Sequence, residues 1–298
     1  MKLRGYGEDR LLAELLKDLP HLHKEVTVGP GDDCAVIAQR GSRWDQLLKT
    51  DTVVEGIHFE PDAPPEWVGW KALCRPISDV AAMGGESQFA LVTLGLDENA
   101  NVAWVQKLYA GIRRAASHYD VEIVGGETVR TTGPAFVSAS LTGRVEHGRA
   151  VLRSSARPGD VLLVTGRLGG SIHGWHLKFQ PRVAEGRWLG QTGLVSAMMD
   201  LSDGLAADLP RLAAASGLQY RLFENAIPIR RGSNLEQALH DGEDYELLLS
   251  TSSEHLPELL KSWAAHFPDL PLGVIGEFTL ESDGAAGPFS ETGGFHHF

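Results

Sequence analysis

The chain has 298 residues, 43% of them hydrophobic, with 39 acidic against 27 basic side chains and a formal charge of −12. That is enough for one large or two medium domains with a sizeable core. The charge repels nucleic acid and anionic membranes, with no basic run to offset it, and no stretch reaches the roughly 18 apolar residues of a membrane helix. The two cysteines, Cys34 and Cys74, are too few for a disulfide framework and lack zinc-site spacing, so they read as reduced thiols. Residues 1–10 are charged where a secretory leader is apolar, which sets the expectation of a cytoplasmic chain.

Leu11, Leu12, Leu15 and Leu16 recur at helical spacing, predicting a helix over 8–18 ahead of the loop Gly29-Pro30-Gly31. Short strands are expected over 34–38 and 46–54, a helix over 67–83 with Asp79 facing inward, a strand over 89–96, a helix over 104–116 and a strand over 135–142. Pro158-Gly159-Asp160 opens a strand over 161–165, followed by a Gly-rich loop, 166–174. A domain boundary is placed near residue 150. Further on, a helix over 204–216 starts at Ser202-Asp203, a strand covers 245–251, and a helix over 253–266 is capped by its serine. From Gly276 the chain reads as a Gly-rich tail. This order predicts a mixed α/β (α+β) fold.

Carboxylates recur beside Gly, Ser or Thr in Gly31-Asp32-Asp33, Thr50-Asp51, Ser78-Asp79, Gly125-Gly126-Glu127, Asp200-Leu201-Ser202-Asp203-Gly204 and Asp241-Gly242-Glu243-Asp244. Singly, each has an ordinary explanation: Asp203 as a helix cap, Asp33 in a turn, Asp79 paired with Arg75 or Lys71. Together, flanked by apolar segments, they point to a phosphate site built on hard divalent cations such as magnesium or calcium. The chain lacks the G-x-x-x-x-G-K-[ST] loop and the protein-kinase motifs, and without that lysine loop 166–174 reads as a turn rather than a phosphate cradle. His58 reads equally as a substrate contact or a core histidine, and Arg149 and Arg153 as phosphate contacts or surface arginines.

In order, Gly31-Asp32-Asp33-Cys34-Ala35-Val36, Thr50-Asp51, Val54-Glu55-Gly56-Ile57-His58-Phe59, Ser78-Asp79-Val80-Ala81-Ala82-Met83-Gly84, Asp200-Leu201-Ser202-Asp203-Gly204 and Gly242-Glu243-Asp244-Tyr245-Glu246-Leu247 resemble the thiamine-monophosphate kinases. These belong to the superfamily of aminoimidazole ribonucleotide synthetase. The resemblance implies an N-terminal α/β domain, 1–150, which binds ATP and magnesium and whose sheet pairs across a homodimer, and a C-terminal α+β domain, 151–298, covering the site. It implies several Mg²⁺ ions on Asp32 or Asp33, Thr50, Asp51, Asp79, Glu127, Asp200 and Asp203. ATP would meet Tyr109, Gly126, Glu127, Arg153 and Ser202, and thiamine monophosphate would meet His58, Glu243 and Phe295. The implied reaction is in-line phosphorylation of thiamine monophosphate by ATP. No general base is assigned, because the acceptor phosphate is already ionised near neutral pH.

The chain departs from that pattern at Glu127, where aspartate is usual, at Asp241, where glycine is usual, at Arg75-Pro76, and at Lys49, where a small hydroxyl residue is common. Lys49 sets a cation beside a predicted metal position, in competition with an ion. A related ATP-dependent small-molecule phosphotransferase and a non-catalytic nucleotide-binding homologue are the alternative readings.

Overall fold

Burial alternates along the first long strand of the chain: Asp45, Leu47 and Val53 are buried while Leu48 and Thr50 are exposed. That period of two marks a strand covered on one face. The computed structural model describes Leu3, residues 6–17, Leu19 and residues 23–280. A helix, α1 (Glu8–Lys17), precedes β1 (Val26–Val28), β2 (Ala35–Ala38) and β3 (Trp44–Val54). Then come α2 (Pro65–Ala82), β4 (Glu86–Leu96), α3 (Val102–His118), β5 (Glu122–Arg130) and β6 (Phe136–Glu146). The six strands form one sheet in the order β1-β2-β3-β6-β4-β5, antiparallel except for the parallel pair β4 and β5.

One face of this sheet packs on α2, which begins at Pro65 with proline's preset φ. Helix α3 lies against α2 at very short range: a Cβ at Gly69 would come within 1.9 Å of the Leu108 carbonyl oxygen, and one at Gly111 within 1.9 Å of the Glu66 carbonyl oxygen. Only glycine fits at either crossing. Among the described residues nothing covers the opposite face, where Leu48, Phe89 and Leu91 are exposed.

The second half supplies β7 (Val161–Thr165), α4 (Val183–Thr192), β8 (Ala197–Asp200), α5 (Leu205–Ala215), β9 (Gln219–Leu222), α6 (Leu235–His240), β10 (Leu247–Thr251), α7 (Leu256–His266) and β11 (Leu272–Thr279). Its five-stranded antiparallel sheet runs β8-β10-β7-β11-β9. Strands β8 and β10 are buried at every position. One apolar cluster joins this sheet to α5 and another to α4 and α7. Helix α4 also docks on the end of α2, where a Cβ at Gly186 would meet the Ala81 carbonyl oxygen at 2.1 Å.

The mixed α/β class is as expected. Residue 276 is not the start of a tail: Gly276 lies within β11, where a side chain would collide with the Arg221 carbonyl oxygen of β9 at 2.3 Å. Helix α7 is not capped by Ser253. It starts after His255, and the Ser252 hydroxyl accepts the His255 N–H one turn earlier.

Candidate active site

Three structural periods converge on one spot. On β3, Leu47, Lys49, Asp51 and Val53 share the covered side of the sheet, since alternate strand residues share a face. On α2, Lys71, Arg75 and Asp79 recur every four residues and so share a helix face. The loop before β2 brings Asp33, and β8 ends at Asp200.

Asp33, Asp79 and Asp200 are all buried, and each places a carboxylate oxygen within 4.8 Å of the others. The Asp79 Oδ1 accepts from the Lys49 ammonium at 2.6 Å, and Asp33 Oδ1 accepts from the Arg153 guanidinium. Asp33 Oδ2 is buried without a hydrogen-bond partner. Burial and the Asp33 charge push the Asp200 carboxyl up to about 6, and burial raises Asp79 above its ordinary value against the pull of Lys49. Asp32 adjoins, accepting from the Asp33 and Arg153 backbone N–H groups; burial and the Asp33 charge raise it to about 6. A crowded oxygen-only donor set with an orphaned lone pair fits a hard divalent cation such as Mg²⁺.

Next to this centre lies a charged network. Burial opposes ionisation of Asp51, but Arg75, bonded at 3.0 Å, and Lys49 outweigh it and hold the carboxyl below its ordinary value. Lys71, fully buried, donates to the His58 carbonyl oxygen at 2.6 Å and to Glu243 at 2.7 Å; burial lowers its ammonium to about 8 despite Glu243. Glu243 has a left-handed backbone with φ 51°, uncommon for a residue other than glycine, and its N–H bonds the Ser202 carbonyl oxygen at 2.7 Å. An open groove of about 820 Å³ lies across the N-terminal end of α3 and the outer end of β5; its lining includes Leu96, Val105, Tyr109, Arg113 and Thr128.

Residues 31–145 match the family of the AIR synthase related protein, N-terminal domain, and residues 171–286 that of its C-terminal domain. The thiamine-monophosphate kinase of Bacillus subtilis is 34% identical over 93% of this chain and 95% of its own. That of Rhodopirellula baltica is 38% identical over 77% and 78%. The chain belongs to the thiamine-monophosphate kinase family. The solved structure of AaThiL complexed with AMPPCP and TMP is 31% identical, covers 100% of this chain and 99% of that one, and superposes with a TM-score of 0.84.

Of the residues that resemblance to the thiamine-monophosphate kinases singled out, Asp33, Asp79 and Asp200 are brought together, with Asp32 and Asp51 beside them. Thr50 points to the opposite face of β3 from Asp51, and its hydroxyl lies 3.1 Å from that of Ser140. Asp203 lies outside the three-carboxylate group, paired with Arg211. Glu127 is exposed on β5, where its carboxylate accepts the Thr128 N–H at 2.8 Å. Gly126, adjacent to it, has no room for a side chain: a Cβ would meet the Val92 carbonyl oxygen at 1.8 Å. His58 is buried, and its Nδ1 accepts the Val54 N–H at 3.1 Å, which places the proton of the neutral ring on Nε2. Phe295 lies outside the described residues.

Asp79 pairs with neither Arg75 nor Lys71; those cations serve Asp51 and Glu243, and Asp79 takes Lys49. Loop 166–174 has its Gly169 and Gly170 N–H groups directed at the Asp244 and Asp241 carboxylates, as a turn held by the protein. Sequence reasoning missed Asp208, buried beside Asp203 and raised to about 8 by burial and that neighbour's charge. Its place in the first turn of α5 was the available signal.

Proposed function

We propose that the chain transfers the terminal phosphoryl group of ATP to the phosphate of thiamine monophosphate, giving ADP and thiamine diphosphate. The buried Asp33–Asp79–Asp200 centre carries this reading, together with membership of the family. Mg²⁺ bound at this centre, with Asp32 and Asp51 alongside, would supply the positive charge that lets an anionic acceptor approach an anionic donor. Arg75 and Lys71 hold the Asp51 and Glu243 carboxylates in fixed positions at the edge of that centre. No side chain has to remove a proton, since the acceptor oxygen is already ionised.

In this reading Tyr109, Gly126, Glu127, Arg153 and Ser202 meet the nucleotide, and His58, Glu243 and Phe295 meet thiamine phosphate. Asp203 and Glu127 serve ions that arrive with the nucleotide; the Thr50 hydroxyl, on the opposite face of β3, does not. Residues 1–150 form the ATP-binding and dimerisation domain, and residues 151–298 the domain that covers the site; the change of sheet between β6 and β7 supports the division. A second copy of the chain covers the bare face of the first sheet, where Leu48, Phe89 and Leu91 stand exposed beside the hydroxyls of Thr50 and Ser140. Among the described residues no helix is long and apolar enough to cross a membrane, and a cytoplasmic location follows from ATP as donor.

Purified protein supplied with Mg²⁺, ATP and thiamine monophosphate should form thiamine diphosphate and ADP in equal amounts. ATP binding without thiamine diphosphate would refute the assigned acceptor.

A further inference from the structure

Lys49 is inward on β3, one strand repeat from Asp51, and its ammonium lies against Asp79 at 2.6 Å. Asp51 and Asp33 are its other anionic neighbours. The cation is therefore a fixture of the acidic centre rather than a surface charge. A divalent ion ligated by the same Asp79 oxygen would sit about 2.1 Å from it, against the ammonium with no anion between them. Asp33 Oδ2, buried and unpartnered, remains open to an ion together with Asp200.

We propose that the Lys49 ammonium is a built-in counter-ion of this centre, filling the coordination space of one divalent cation at Asp79, so that the chain binds one ion fewer than it would with serine at position 49. The proposal rests on the reading of the centre as a cation site. A primary ammonium offers three donors and one charge, whereas Mg²⁺ supplies two charges and demands six ligands. The exchange leaves Asp79 neutralised at every magnesium concentration and makes the centre less dependent on free magnesium.

Counting bound Mn²⁺ by electron paramagnetic resonance, with a nonhydrolysable ATP analogue present, tests this on the wild type and Lys49→Ser. The variant should bind one more Mn²⁺ per subunit. Equal counts above zero, or a lower count in the variant, overturn the proposal and leave the cation site standing; no Mn²⁺ in either protein overturns both. A second measurement needs no variant. Anomalous scattering from wild-type crystals grown with Mn²⁺ should place no ion on Asp79 Oδ1, with Lys49 still bonded there. An ion on that oxygen, with the lysine displaced, overturns the proposal.

Discussion

Glu246 and Asp200 are both buried carboxylates close to β10, yet their surroundings differ in kind. Glu246 accepts two hydrogen bonds from Arg182, at 2.7 and 2.5 Å, and a third from the Thr165 hydroxyl at 2.7 Å. Asp244, near it, accepts the Gly169 N–H and pairs with Arg230 at 3.0 Å. Asp200 instead faces Asp33 and Asp79, and Asp33 keeps an oxygen with no partner. Buried charge whose hydrogen-bonding capacity the protein itself fills holds the fold together, whereas buried charge left short is held for a ligand.

Substitution separates the two kinds. Asp200→Asn should lower kcat about a thousandfold, or about 4 kcal/mol, while unfolding in metal-free buffer shows stability unchanged or higher, because repulsion is relieved. Glu246→Gln should do the reverse: a loss of about 3–5 kcal/mol in denaturant unfolding, because Arg182 is left buried without its anion, with each folded molecule turning over at the wild-type rate. Equal destabilisation by the two variants would erase the distinction.

The same contrast holds for apolar surface. Strands β8 and β10 are covered on both faces, while the six-stranded sheet leaves Leu48, Phe89 and Leu91 uncovered. Leu91→Asp should weaken self-association at least about tenfold, roughly 1.4 kcal/mol, as sedimentation would reveal. A wild-type chain that sediments as a monomer at micromolar concentration would mean that no second copy covers that face.

Much of this was legible in the sequence, and for local reasons. The helical period of α2 turned Asp79 inward, and the strand expected over 46–54 contained Asp51, though which face Asp51 takes came only with the fold. Strand β5 escaped notice because Gly125-Gly126 breaks the strand pattern and the strand is an exposed edge with no alternation of burial. Spacing likewise could not say which cation meets which carboxylate. Lys71, Arg75 and Asp79 share a helix face, so their mutual pairing was the local expectation; only the fold brings Lys49, thirty residues away, onto Asp79. The separation of Thr50 from Asp51 follows from strand alternation alone, and family resemblance had grouped them.

The central claim is that Asp33, Asp79 and Asp200 form a cation site, and thermal unfolding with and without Mg²⁺ tests it most directly. With Mg²⁺ at about a hundred times its dissociation constant, the Tm of the wild type should rise by roughly 4 °C, from about 2.7 kcal/mol of binding linkage in a chain of this size, and that of Asp200→Asn should stay where it was. An equal shift in both proteins, or none in either, would contradict the account.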